Sequence, residues 1–138
     1  MRVTLDINVL LDVFQKREPH YAASARVLAM VQQGELSAVF PAHGFTTLYY
    51  VVRKHASRPD AEAAMDNVLK HFEVGNLALA GWIRARVLPM SDFEDAVVAT
   101  VAEESGFRFI ITGNTGDFTH SPVPAITPVE FLSQLAAL

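Results

Sequence analysis

The stretch Arg2-Val3-Thr4-Leu5-Asp6-Ile7-Asn8-Val9-Leu10-Leu11-Asp12-Val13-Phe14 decides the fold. Its first four residues alternate and include the β-branched Val3 and Thr4, which predicts a short buried strand. From Asn8 onward the apolar residues recur with the spacing of one helix face. The chain therefore turns from strand to helix directly after Asp6. A carboxylate at such a junction has two readings, an N-cap or a ligand at the end of a strand, and the residues alone leave both open.

The same alternation continues along the chain. Lys16 to Pro19 breaks it, with Pro19 placed as a first helical residue, and Tyr21 to Gln33 reads as an amphipathic helix stopped by Gly34. A strand over Leu36 to Phe40 leads through Pro41-Ala42-His43-Gly44 into a helix from Phe45 to His55. Ser57 caps the next helix, with Pro59 in its first turn, and it runs to about Lys70. Phe72 to Val74 reads as a strand and Leu77 to Val87 as a helix. Ser91 opens a helix ending near Gly106, and Phe107 to Thr112 is the clearest strand of all. Val123 to Ile126 reads as an edge strand. Thr127-Pro128-Val129-Glu130 has the form of a capping box that starts a last helix.

Strands alternating with helices predict one α/β domain over residues 1–138, a three-layer α/β/α sandwich around a mostly parallel sheet of about five strands. The length suits one domain, and 51% hydrophobic residues supply its core. Ligands of such sheets bind beyond the carboxyl ends of the strands. Asp6 and Asp117 would lie at that edge, and the helix begun at Ser91 would need to aim its N-terminus there.

Gathered together, these acids would repel one another, and a cation would relieve the cost. Within Ser91-Asp92-Phe93-Glu94-Asp95, Ser91 and Glu94 match a capping box and Asp92 suits the helix dipole. Asp95 has no such duty and is the candidate ligand, with Asp92 auxiliary. Asn8, Thr112 and Asn114 could orient the carboxylates or bound water. The loop Thr112-Gly113-Asn114-Thr115-Gly116-Asp117 also suits a plain turn. Oxygen donors without thiolates favour Mg²⁺ or Mn²⁺. The chain has no cysteine and only scattered histidines, which argues against zinc.

A formal net charge of −4 argues against a protein that coats nucleic acid nonspecifically, but not against a nuclease. Arg53, Lys54, His55 and Arg58 form the main basic cluster, either a solvated helix end or a phosphate contact for RNA. Tyr49 and Tyr50 read as helix core rather than as a stacking platform. The absence of cysteines, signal peptide and long apolar run predicts a cytoplasmic protein without a membrane segment.

Four segments, in order, resemble a PIN domain. They are Leu5 to Asp12; Thr46-Thr47-Leu48-Tyr49-Tyr50-Val51-Val52-Arg53-Lys54-His55; Asp92 to Ala96; and Ile111 to Phe118. The branch with a Tyr-Tyr-x-x-Arg-Lys helix is the most similar, and its relatives include VapC-like ribonuclease toxins. The resemblance implies a pocket binding Mg²⁺ or Mn²⁺ through Asp6, Asp95 and Asp117, with Asn114 at a position that is acidic in some relatives. It implies RNA as substrate, an antitoxin partner and a homodimer. The chain departs from the fullest pattern at two places. No acid occurs in Leu48-Tyr49-Tyr50-Val51, and Gly113 precedes Asn114 where an Arg is often found. A binding module that does not cut is the alternative these departures imply.

Overall fold

The computed structural model describes residues 1–106 and 108–137. Five strands form one sheet, all parallel: β1 (Arg2–Leu5), β2 (Ser37–Pro41), β3 (Glu73–Gly75), β4 (Phe109–Ile111) and β5 (Ala125–Ile126), in the spatial order β3-β2-β1-β4-β5. The helices among the described residues are α1 (Ile7–Phe14), α2 (Tyr21–Gln32), α3 (Gly44–His55), α4 (Arg58–His71), α5 (Leu79–Val87), α6 (Phe93–Ser105) and α7 (Pro128–Ala136). A 3₁₀ turn covers Thr115–Phe118.

The strands are apolar on both faces, as a covered parallel sheet requires. Val3, Leu5, Ala38, Phe40 and Ile111 pack with α1, α2, α3, α4 and α7. On the other face, Ile110 packs with α5 and α6, and Val39 meets Val101 of α6. Successive side chains thus divide between two helical layers, giving the expected α/β/α sandwich. Ala96 to Ala102 are all buried, so α6 is enclosed over most of its length.

The predicted caps at Ser57 and Thr127 form. Ser57 Oγ accepts from Asp60 N at 3.1 Å, and Thr127 and Glu130 complete a reciprocal capping box. Other expectations are corrected. Pro19 lies in the turn before α2, which starts at Tyr21. β4 covers Phe109–Ile111 and ends before Thr112; the expected start at Phe107 lies outside the described residues. Tyr50 is exposed rather than core, because it faces away from the sheet beside Lys54.

Candidate metal centre at the carboxyl edge of the sheet

β1 is the central strand, and Asp6 follows it immediately. The Asp6 N–H donates to Ile111 O at 3.0 Å, extending the ladder to β4 and fixing the residue in place. Asp6 holds the N-cap position of α1, yet its side chain makes no capping hydrogen bond to that helix. It turns instead to the next strand end, where Thr112 Oγ1 donates to Asp6 Oδ2 at 2.9 Å.

Thr112 is the hub of the local network. Its Oγ1 also accepts from Asn114 N at 3.1 Å and from Asn8 Nδ2 at 3.4 Å, and Asn8 Oδ1 accepts from Gly113 N at 3.4 Å. One hydroxyl has a single proton and two lone pairs. With both acceptor positions taken by N–H donors, its proton is committed to Asp6. Asn8, Thr112 and Asn114 are therefore joined around that carboxylate.

The second acidic element is the N-terminus of α6. Here the structure corrects the sequence reading. Asp92, not Ser91, is the N-cap, and Asp92 Oδ1 accepts from Asp95 N at 3.1 Å. The Ser91–Glu94 capping box does not form, because the helix begins one residue later. Glu94 is thereby released, and its charge acts on Asp6, Asp95 and His43. Asp117, in the 3₁₀ turn after β4, acts on Asp6 and Asp95 as well.

The electrostatics follow from burial and like charge. Asp6 is 4% exposed. Burial pushes its carboxyl up to about 6, Glu94 and Asp117 push in the same direction, and the Thr112 hydroxyl and the Ile7 N–H oppose them. Asp95 is pushed up to about 7, by burial first and then by Asp6, Asp92, Asp117 and Glu94. Among the described residues, every charged group acting on these two carboxyls is itself acidic. Such a site suits a cation, and its hard oxygen donors suit Mg²⁺ or Mn²⁺. Among the described residues, no three His, Asp or Glu side chains are gathered into a ready metal cage. The donor chemistry fits a divalent ion, while the side chains stand apart from one another.

Sequence reasoning missed two groups, Glu94 and His43. His43 follows β2 by two residues, as Asp6 follows β1 and Thr112 follows β4. A search of every strand end for a polar residue finds it. The basic cluster is not brought to the site. Val52 and His55 of α3 meet the end of α1 at Phe14 to Arg17, which places Arg53, Lys54 and Arg58 at the far end of α3. Arg58 is paired there with Glu62 at 2.8 Å.

A family model described as PIN domain matches residues 2–116.

The chain belongs to the PIN domain family.

Solved structures resemble this PIN domain over most of its length. A toxin–antitoxin complex from Klebsiella pneumoniae aligns with a TM-score of 0.68 at 18% identity, covering 91% of this chain and 97% of the other. VapBC2 from Rickettsia felis, bound to a DNA fragment from its promoter, aligns at 0.67 and 14%, covering 92% and 98%. VapC20 of Mycobacterium tuberculosis, a toxin that cleaves the sarcin–ricin loop, aligns at 0.63 and 12%, covering 78% and 86%. Comparison with curated proteins gives no match. At these identities the structures speak for the fold of the PIN domain. Among the described residues, no helix is long and apolar enough to cross a membrane.

Proposed function

We propose that this PIN domain is a metal-dependent endoribonuclease that hydrolyses RNA phosphodiester bonds and serves as the toxin of a type II toxin–antitoxin pair. One observation carries the reading: acids from three separate elements act on Asp6 and Asp95 at the carboxyl edge of the sheet, and among the described residues no basic group offsets them. Asp6, Asp95 and Asp117 would hold Mg²⁺ or Mn²⁺. When bound, such an ion acidifies water and offsets charge on a phosphodiester. Thr112, Asn8 and Asn114 hold Asp6 in one orientation, and Asp92 fixes the start of the helix that carries Asp95. Glu94 supplies a fourth carboxylate where α3 offers none. Arg53, Lys54 and Arg58 lie about one α3 length from His43, roughly 18 Å for 12 residues. They would meet RNA phosphates well away from the bond being cut.

The test is cleavage of a mixed pool of structured RNAs by the purified protein with Mn²⁺, with Mg²⁺ and with EDTA, beside Asp95→Asn. Cutting that vanishes in EDTA and in the variant is the expected result. No cutting by folded, inhibitor-free protein under any condition would select a second reading, an RNA- or protein-binding module. The acid-free stretch Thr46 to Val51 of α3 favours that reading.

We further assign to the protein an antitoxin-like partner, a cytoplasmic location and a homodimer. The solved toxin–antitoxin complexes of this fold support the partner. The dimer is supported by α5. Gly81 and Ala85 of this helix face the core, while Leu79, Ile83 and Val87, spaced by four, are 75%, 57% and 67% exposed on the opposite side. Trp82 beside them packs against Phe93, with ring centroids 6.3 Å apart. A helix with its apolar ridge turned to solvent lacks a partner. Ile83→Asp is expected to convert a dimer to a monomer in light scattering after gel filtration. A wild type that is monomeric at all concentrations, or a variant that stays dimeric, would refute this assignment.

A further inference from the structure

Three adjacent parallel strands lead into polar residues at the same edge: Asp6 directly follows β1, Thr112 directly follows β4, and His43 comes two residues after β2. His43 is the member without a role so far. Its backbone is tightly held. Ala42 N donates to Gly75 O at 2.8 Å, Phe45 N donates to Ala42 O at 3.2 Å, and Thr46 Oγ1 donates to His43 O at 3.3 Å. A Cβ at Gly44 would stand 2.7 Å from Cζ of Phe40, so only glycine lets the chain pass this close to the ring. These contacts fix the point from which the imidazole projects.

The ring itself is half-committed. Nδ1 is enclosed and has no hydrogen-bond partner. An orphaned N–H is rarer in folded proteins than an orphaned acceptor, so Nδ1 is the bare nitrogen and Nε2 carries the proton. Burial lowers the ring's basicity, with Glu94 opposing, which keeps the imidazole neutral near pH 7. Among the described residues, the hydrogen bond made to His43 is at its backbone O, from Thr46 Oγ1, which leaves Nε2–H for a ligand; Glu94 links the ring's surroundings electrostatically to Asp6 and Asp95. An acidic site that must admit a phosphodiester needs a donor close by. A neutral donor supplies one without cancelling the negative field that draws a cation, and the cations of α3 are too distant to do so.

We propose that His43 contacts the substrate of this site, its Nε2–H donating to a non-bridging oxygen of the RNA phosphodiester. The inference rests on the ribonuclease reading and adds a named phosphate contact to it. The test compares wild type, His43→Ala and His43→Gln, since Gln keeps an N–H donor. Affinity for a short fluorescent single-stranded RNA is measured by anisotropy with Ca²⁺ in place of Mn²⁺. Mn²⁺ binding is followed by calorimetry, and cleavage with Mn²⁺ is resolved into kcat and KM. His43→Ala is expected to weaken RNA binding and raise KM roughly 10- to 100-fold, the scale of one hydrogen bond to a charged group. Mn²⁺ affinity stays unchanged, and His43→Gln recovers part of the RNA affinity. Unchanged RNA affinity in a folded His43→Ala overturns the inference. So does loss of Mn²⁺ binding, which would make His43 a metal ligand. If His43→Ala does not fold, His43→Gln at wild-type melting temperature decides: RNA affinity between wild type and none supports the contact, and none overturns it. Wild-type protein that binds RNA without cutting it refutes the ribonuclease reading alone, and protein that does neither refutes both.

Discussion

Asp6→Asn is expected to lower metal-dependent RNA cleavage by at least about 100-fold, the upper end of what even outer-shell partners of a metal cost, while leaving the protein folded. Asp6 ends the central strand, is almost wholly enclosed and is the one acid gripped by the Thr112 hydroxyl. Asn has the same shape and its Oδ1 can still accept from Thr112, so the packing of β1 against β4 survives. The charge does not. Calorimetry should show Mn²⁺ affinity falling in parallel with cleavage, and circular dichroism should show an unchanged fold. Cleavage at the wild-type rate would remove Asp6 from the site and leave it a residue of the strand–helix junction.

The second large effect is on stability. Asp6 and Asp95 have folded-state carboxyls raised above the ordinary value of 3.8, to about 6 and about 7. The folded protein therefore binds protons more readily than the unfolded chain. The stabilisation this gives is fully present below about pH 4 and is lost as pH rises through 6 and 7. For Asp6, a shift of about two units corresponds to roughly 3 kcal/mol. The contribution of Asp95 is smaller than its shift suggests, because it is partly exposed to solvent. Buried Asp12 is raised in the same direction. Metal-free protein should thus melt at a lower temperature at pH 8 than at pH 5.5. Saturating Mn²⁺ should restore much of the loss at pH 8 and little at pH 5.5, where protons compete for the same oxygens. Asp95→Asn should raise the melting temperature of the metal-free protein at pH 8. A melting temperature that is independent of pH and of Mn²⁺ would show that these acids are not electrostatically coupled in solution.

How much of this could be read before the structure depended on whether one residue's identity settled the question. The positions of Asp6 and Thr112 at the sheet edge were legible because each follows an apolar strand, although the residues alone left Asp6 open as a cap or a ligand. The alternation of strands and helices likewise implied a parallel sheet. Glu94 was not legible. Ser91-x-x-Glu94 and Asp92-x-x-Asp95 are overlapping cap patterns one residue apart, and a one-residue change of helix phase turns each side chain by about 100°. Only packing of the apolar run Ala96 to Ala102 chooses between them. His43 was hidden because a lone histidine has many bland explanations. Whether the basic cluster is a solvated helix end or a phosphate contact was open in the sequence, because only the length and direction of α3 set its distance from the site. For α5 the sequence predicted a helix but not which of its apolar residues would face outward.

The hydrogen bond between Thr112 and Asp6 spans 106 positions of the chain. During synthesis, Asp6 leaves the ribosome 106 residues before the hydroxyl that aims it, and Asp117 follows later still. A nascent chain or a prematurely terminated one holds the first half of the blade without the second. For a protein whose proposed activity is to cut the cell's own RNA, this order of manufacture is a safety catch: the cutting edge closes only after the strand that carries Thr112 has been made.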